Sequence, residues 1–348
     1  MEGVYDYVEG PAFIDEYYSK SYDLHLYVFG DWHVYQSTCG KRKNTIKITD
    51  LIDSTIRRNK DKMIDLYLEL GRPLLKKHIK KEIDNYIDVI AIKFRHCFYK
   101  DKTRCEYSNL RAHYTDFRMY EIEDCGTTLL DYIRMFNTIE GGLLEGFDQG
   151  WLDYIGRFRR TLECVLHKLE ASSARHIIEA MVDVFDYRNK IKKQKKYVKP
   201  SIVAKMLDFF SALIDKEKAL GLMSLPGKNY KKELIEMIRR IISYLRKEKT
   251  QLNVGKIAED LSVFATFSTL VLDYYLYMRI FRSYDPKSPH PERAKYALVY
   301  AGGYHAENLG EFLTNYLGFK HPFHSRTCVK DNCYQCVNIK ALRQPLFH

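Results

Sequence analysis

Short apolar runs of strand length mark both ends of this chain, and amphipathic helical spacing fills its middle. Residues 24–30 form one such run, and residues 61–70 form a second, bounded by Gly71 and Pro73. Between them, Thr49 or Asp50 can cap a helix reaching about Arg58, with Leu51, Ile52 and Ile56 on its apolar face. The order strand, helix, strand favours a parallel pair with a right-handed crossover. The basic, polar residues 41–48 read as a loop or hairpin, and residues 74–98 as a helix. A third strand fits 109–118, where Arg111 and His113 share one face and Asp116 and Arg118 the other.

From about Thr127 to Ser283 the period changes to that of successive helices: 127–138, 151–171, 174–193, 202–220, 229–248 and 256–283. Breaks fall at Gly141-Gly142, at Pro200 and at Leu225-Pro226-Gly227. After Pro286, Pro289 and Pro291, residues 295–301 return to strand character, and a helix follows from about His305 to Gly318. The expected fold class is therefore α/β. A mainly parallel central sheet is built from both chain ends and flanked by helices, with a large helical insertion. The expected segments are 1–125 and 286–320 for the α/β core, 126–285 for the insertion and 321–348 for a Cys-rich tail.

Three of the apolar runs end in polar residues where open α/β sheets build their sites. The first runs into Gly30-Asp31-Trp32-His33 and the third into Gly302-Gly303-Tyr304-His305, two Gly-x-x-His motifs; Glu69 closes the second. If these strands are neighbours, Asp31, His33, Glu69 and His305 meet in one crevice, with Arg111 and His113 nearby. Two imidazoles and a carboxylate (His33, His305, Glu69) can hold a divalent metal and acidify its water. Without metal, a His–carboxylate pair can act as general base while an arginine stabilises developing negative charge.

The chain has 348 residues, enough for one elaborated domain or two smaller ones, and 46% of them are hydrophobic. No uninterrupted apolar stretch reaches membrane-spanning length, and the acidic start of the chain shows no secretory signal, so a cytoplasmic setting is expected. The net charge of +11 is compatible with an anionic partner, the most basic stretch being 188–199, although much of the charge reads as solvated helix faces. Eight cysteines without a secretion signal suggest reduced thiols. Three of them, Cys328, Cys333 and Cys336, follow His321 and His324 and can form a structural zinc knot of three thiolates and one imidazole, His324.

Paired Gly-x-x-His motifs with an acidic residue closing the second strand resemble the superfamily that joins erythromycin esterase, the ChaN haem-binding proteins, the TraB/PrgY pheromone-shutdown proteins and the TIKI proteases. Its first motif is usually Gly-Glu-x-His; Asp31 stands at the Glu position here. The resemblance implies that Asp31, His33, Glu69 and His305 line an active-site cleft, with Arg111 or Arg118 as the basic residue. It implies a hydrolase of ester or peptide bonds. The Tyr-, Lys- and Ile-rich composition also looks like that of large-DNA-virus proteins, which implies a host-cytoplasmic or virion location. A non-catalytic scaffold that packs against a protein partner through the helical insertion, and a nucleic-acid binder using 188–199, are the alternative readings.

Overall fold

The computed structural model describes residues 4–33, 39–40, 42–70, 85–98, 105–116, 121–122, 125, 127–128, 149–185, 190–223, 227–246, 254–284, 292–327 and 334–347. The chain divides into two compact units: one is made of Met1–Phe117 and Arg279–His348, the other of Arg118–Met278. The second unit thus interrupts the first in sequence, between 118 and 278 where the sequence reading put 126 and 285.

The first unit is an α/β fold around a six-stranded, mostly parallel sheet. Its strands are β2 (Phe13–Ser19), β3 (Leu24–Asp31), β5 (Ile64–Leu68), β6 (Leu110–Tyr114), β9 (Tyr296–Gly302) and β10 (Lys320–Arg326). They lie in the order β10-β2-β3-β9-β5-β6. Strands β3, β9, β5 and β6 run parallel, while β2 and β10 add an antiparallel side. Strand β9 comes from the far end of the chain and enters between two strands of the near end. Every residue of β5 is buried, as befits a parallel strand covered on both faces.

One sheet face packs Tyr27, Phe29, Leu66, Leu298 and Tyr300 against two helices, α1 (Ile48–Arg58) and α2 (Tyr86–Lys93). Helix α1 does this through Leu51, Ile52 and Ile56, the face read from its spacing. It starts at Ile48, one or two residues before the expected cap, and Lys47 makes no side-chain cap; Asn85 does cap α2, accepting from Asp88 N–H at 2.9 Å. A small sheet joins β1 (Tyr7–Glu9) to β4 (Thr45–Lys47) and to β11 (Cys336–Asn338). Part of the expected loop 41–48 is therefore strand. The last residues, Leu342, Leu346 and Phe347, belong to the same core. Residues 321–348 are thus no separate tail: β10 borders the main sheet and β11 the small one.

The second unit contains a short hairpin, β7 (Glu121–Ile122) and β8 (Thr127–Thr128), and helices α3 (Gln149–Ala171), α4 (Ile177–Phe185), α5 (Lys190–Lys195), α6 (Pro200–Ala219), α7 (Tyr230–Leu245) and α8 (Val254–Phe281), the last reaching into the first unit by three residues. The expected helix at 127–138 begins instead as strand, and its remainder lies outside the described residues, as does the Gly141-Gly142 break. The expected helix 174–193 is helical over Ile177–Phe185 and from Lys190, with 186–189 outside the described residues. Helix α8 passes for a membrane span by length and composition alone; 78% of its most apolar window is buried within the protein, as in a core helix.

Three disulfides replace the reduced thiols expected: Cys39–Cys336, Cys97–Cys105 and Cys125–Cys164, with Cα separations of 5.2, 4.6 and 5.6 Å. The fold sets each pair at bridging distance. Cys336 is thereby removed from the proposed zinc knot; Cys328 and Cys333 lie outside the described residues. The Cys39–Cys336 bridge joins residues 297 apart and fastens β11 to Cys39. The double variant Cys39→Ser/Cys336→Ser is expected to lose about 2–5 kcal/mol of stability, read as a lower urea midpoint; an unchanged midpoint would show that the bridge is dispensable.

Candidate active site at the ends of three parallel strands

The parallel register places the two Gly-x-x-His motifs side by side: Gly30 lies opposite Ala301 and Asp31 opposite Gly302. On the other flank of β9, Leu68 lies opposite Tyr300, and Glu69 N–H donates to the Tyr300 carbonyl at 3.1 Å. The C-terminal ends of β3, β9 and β5 therefore deliver Asp31, Gly302 and Glu69 to one level. Helix α9 (Gly303–Glu311) starts directly after Gly302 and carries His305 in its first turn.

Glu69 is the hub. Its Oε2 accepts the Gly302 backbone N–H at 2.6 Å and stands 3.8 Å from His33 Nε2. Its Oε1 stands 3.2 Å from Nε2 of the buried His305. His33 adopts a left-handed conformation, φ 56°, and its ring reaches over Gly302. A Cβ on residue 302 would lie 2.5 Å from His33 Nε2 and 3.2 Å from Glu69 Oε2, so the close approach requires glycine. The first motif uses its glycine differently. Gly30 stays within β3, and a Cβ there would lie 2.1 Å from the ring of Phe13, its cross-strand partner.

Asp31 is buried, and His33 has 47% of its side chain exposed. Asp31 Oδ1 accepts from Gln335 Nε2 at 2.6 Å. Its Oδ2 has no hydrogen-bond partner among the described residues and faces His33 Nδ1 at 3.8 Å. Burial pushes the Asp31 carboxyl up to about 6, against the opposing pull of His33. Gln335 is a site residue with no signature in the sequence: it sits beside the bridged Cys336, and its amide also donates to the Gly10 carbonyl.

Arg111 and His113 stand apart from this crevice. They share a face as expected, but their partner is Asp65, four residues before Glu69 and roughly 13 Å back along β5. Fully buried Asp65 accepts from Arg111 Nε at 2.9 Å and Nη2 at 2.6 Å, lies 2.6 Å from His113 Nε2, and accepts from Tyr284 Oη at 3.0 Å. The Arg279 guanidinium, which can only donate, lies 2.7 Å from His113 Nδ1. Nδ1 is therefore the acceptor, and the proton sits on Nε2, directed at Asp65. Burial, and then the charge of Arg279 against the pull of Asp65, leaves His113 at about 4, a neutral ring. The hydrogen bonds from His113 and Arg111 outweigh burial and hold the Asp65 carboxyl low. This network ties the segment Arg279–Tyr284 to the sheet; Arg111 Nη1 also donates to the Glu292 carbonyl at 3.0 Å. Arg118 lies outside the described residues.

The metal readings divide. Among the described residues, the one group whose ligand atoms converge closely enough to hold an ion is Asp15, His321 and His324, all within 4.8 Å of one another. His33, Glu69 and His305 do not form such a set, since Glu69 stands between the two imidazoles. His324 faces Asp15, and Cys328 and Cys333 lie outside the described residues. No protein-family model matches the chain, and neither the curated proteins nor the solved structures include a match to it.

Asp65→Ala would leave Arg111 buried without its counter-charge, and a loss of about 3–5 kcal/mol is expected in urea unfolding. A loss near zero would mean that the network contributes nothing to holding the segment.

Proposed function

We propose that the protein is a hydrolase of ester or peptide bonds working from the cleft of Asp31, His33, Glu69 and His305. One observation carries the reading: a half-exposed imidazole is held between two buried carboxylates at the ends of β3 and β5, the parallel strands that flank β9. His33 is the group that solvent and substrate can reach. It takes a proton from the attacking water and returns it to the leaving group. Asp31 and Glu69 stabilise the imidazolium formed in between, and buried His305 orients Glu69. The first-turn N–H groups of α9 and its dipole supply positive potential where an oxyanion would develop. A recess of about 370 Å³ adjoins the cleft, bordered by Phe13, Trp32, Tyr304, Glu307 and Arg326, and offers room for a substrate side chain. The resemblance to the Gly-x-x-His hydrolases supports the same reading. No step is routed through a cleft metal, because the three candidate ligands do not converge.

The three disulfides favour oxidising surroundings over a reducing cytosol, so a virion or an extracytosolic compartment suits this protein better. A scaffold role in partner binding gains some support from Leu220 and Leu222, both exposed at the α6–α7 turn of the second unit. The nucleic-acid reading gains none: within 188–199, Lys192 pairs with Asp183 and Lys195 with Glu179.

On a panel of nitrophenyl esters and fluorogenic peptides, His33→Ala is expected to lower kcat/KM by roughly 10²–10⁴-fold with an unchanged melting temperature. No turnover by the wild type, or wild-type turnover by the variant, would end the hydrolase reading. Activity is expected to fall as pH drops through about 6, where Asp31 takes up its proton. The stability trend runs the other way. The native state binds the Asp31 proton more tightly than the unfolded chain, so this group's contribution to stability falls between about pH 4 and 6 and stays low above. Asp31→Asn is thus expected to melt a few degrees higher than wild type at pH 8, to match it at pH 4, and to lose activity. A lower melting temperature at pH 8 would contradict the burial argument.

A further inference from the structure

The antiparallel edge of the sheet holds a second constellation outside the cleft. Strand β10 pairs with β2 in the register Lys320–Tyr18, Phe323–Glu16, His324–Asp15, Ser325–Ile14 and Arg326–Phe13. Between Lys320 and Phe323 the register slips, so that His321 and Pro322 together oppose the single residue Tyr17. This is a β-bulge on an edge strand, where a proline without an N–H is tolerated. Its consequence follows from strand alternation. Residues 321 and 324 differ by an odd number and would point to opposite faces of a regular strand. The extra residue brings both imidazoles to the face of Asp15.

There the three groups meet on one oxygen. His321 Nε2 is 3.0 Å from Asp15 Oδ1, and His324 Nδ1 bonds the same atom. Asp15 is buried, while the two rings are 33% and 44% exposed, so the open side of the group faces solvent. The ring of buried Tyr17 stacks on His321 at 4.6 Å and 16° and holds its orientation. Bonds of about 2.0–2.1 Å in a tetrahedral zinc site put ligand atoms roughly 3.3 Å apart. The Asp15–His321 spacing is already close to that.

We infer that Asp15, His321 and His324 form a binding site for a first-row divalent cation of the zinc class, with water completing its coordination. Two imidazoles and one carboxylate favour such an ion over magnesium or calcium, which prefer all-oxygen sites. The ion would staple edge strand β10 to β2. Loading has one local consequence. Arg326 Nε lies 3.3 Å from His324 Nε2, so in the metal-free chain Nε2 accepts and Nδ1 carries the proton given to Asp15. An ion on Nδ1 displaces that proton, and the ring, which stays neutral, takes one up on Nε2 in exchange with solvent, with no net release. Arg326 then leaves His324 and retains its bond to Glu307, 2.8 Å from Nη2. Binding at the edge thus removes one of the contacts that hold Arg326, a side chain that borders the recess beside the cleft.

The test is zinc titration of the chelator-treated full chain, with Zn²⁺ alone as probe and a chromophoric chelator as competitor. Wild type is expected to bind one equivalent tightly and to melt at a higher temperature with zinc. His321→Gln and His324→Gln change partly exposed side chains, so far-UV dichroism should show an intact fold; each is expected to weaken binding at least tenfold, as is Asp15→Asn. His33→Ala and Cys328→Ser/Cys333→Ser are expected to bind as wild type, and Arg326→Gln to bind more tightly. The proposal is overturned if wild type takes up no zinc at micromolar concentration, if the Asp15 and His324 variants keep wild-type affinity, or if binding disappears with Cys328 and Cys333.

Discussion

The architecture depends on one act of pairing, the entry of β9 between β3 and β5. Backbone hydrogen bonds to both neighbours fix its register, and the register sets the chemistry. Asp31 must lie beside Gly302, and Glu69 must lie one step beyond the Leu68–Tyr300 pair. A one-residue slip of β9 would turn Leu298 and Tyr300 out of the core. It would also put a side chain where Gly302 makes room for His33. Core packing and cleft geometry therefore select the same alignment.

Two buried aspartates show how differently the fold treats the same group. Asp65 has both oxygens hydrogen-bonded, Oδ1 to Arg111, His113 and Tyr284 and Oδ2 to Arg111, and it is held ionised. Asp31 has one oxygen bonded to Gln335 and the other turned towards a histidine at 3.8 Å, and burial holds its proton on until near neutrality. Satisfied polar networks specify structure; a polar group left partly unsatisfied beside an exposed imidazole is an arrangement that chemistry can use.

What could be read from the chain follows the same division. Central parallel strands are buried on both faces and leave continuous apolar runs, so β3, β5 and β9 were visible, and with them the meeting of Asp31, His33, Glu69 and His305. The antiparallel side was not. Phe13–Ser19 carries Asp15, Glu16 and three hydroxyl-bearing residues, and Lys320–Arg326 contains a proline and is largely exposed. Neither resembles a buried strand. In the sequence His321 and His324 read as neighbours of the cysteines, because a bulge leaves no periodic trace and Asp15 is some 300 residues away. Arg111 and His113 do share one face, and a polar strand face reads as a site where its buried counter-charge goes unseen. Its carboxylate, Asp65, lies within an apolar run where it looked incidental. Gln335 acts through a contact that only the folded tail creates.

The position of β9 also imposes an order on the birth of the protein. During synthesis β3 and β5 emerge first and cannot become neighbours of β9 until residue 302 has left the ribosome, after the entire helical segment. The first unit must therefore wait with an unfilled gap in its sheet, its apolar strands exposed, while the helical unit is complete and free to fold through local contacts. The chain is expected to need protection against aggregation in that interval, and the Cys39–Cys336 bond can close only at its end.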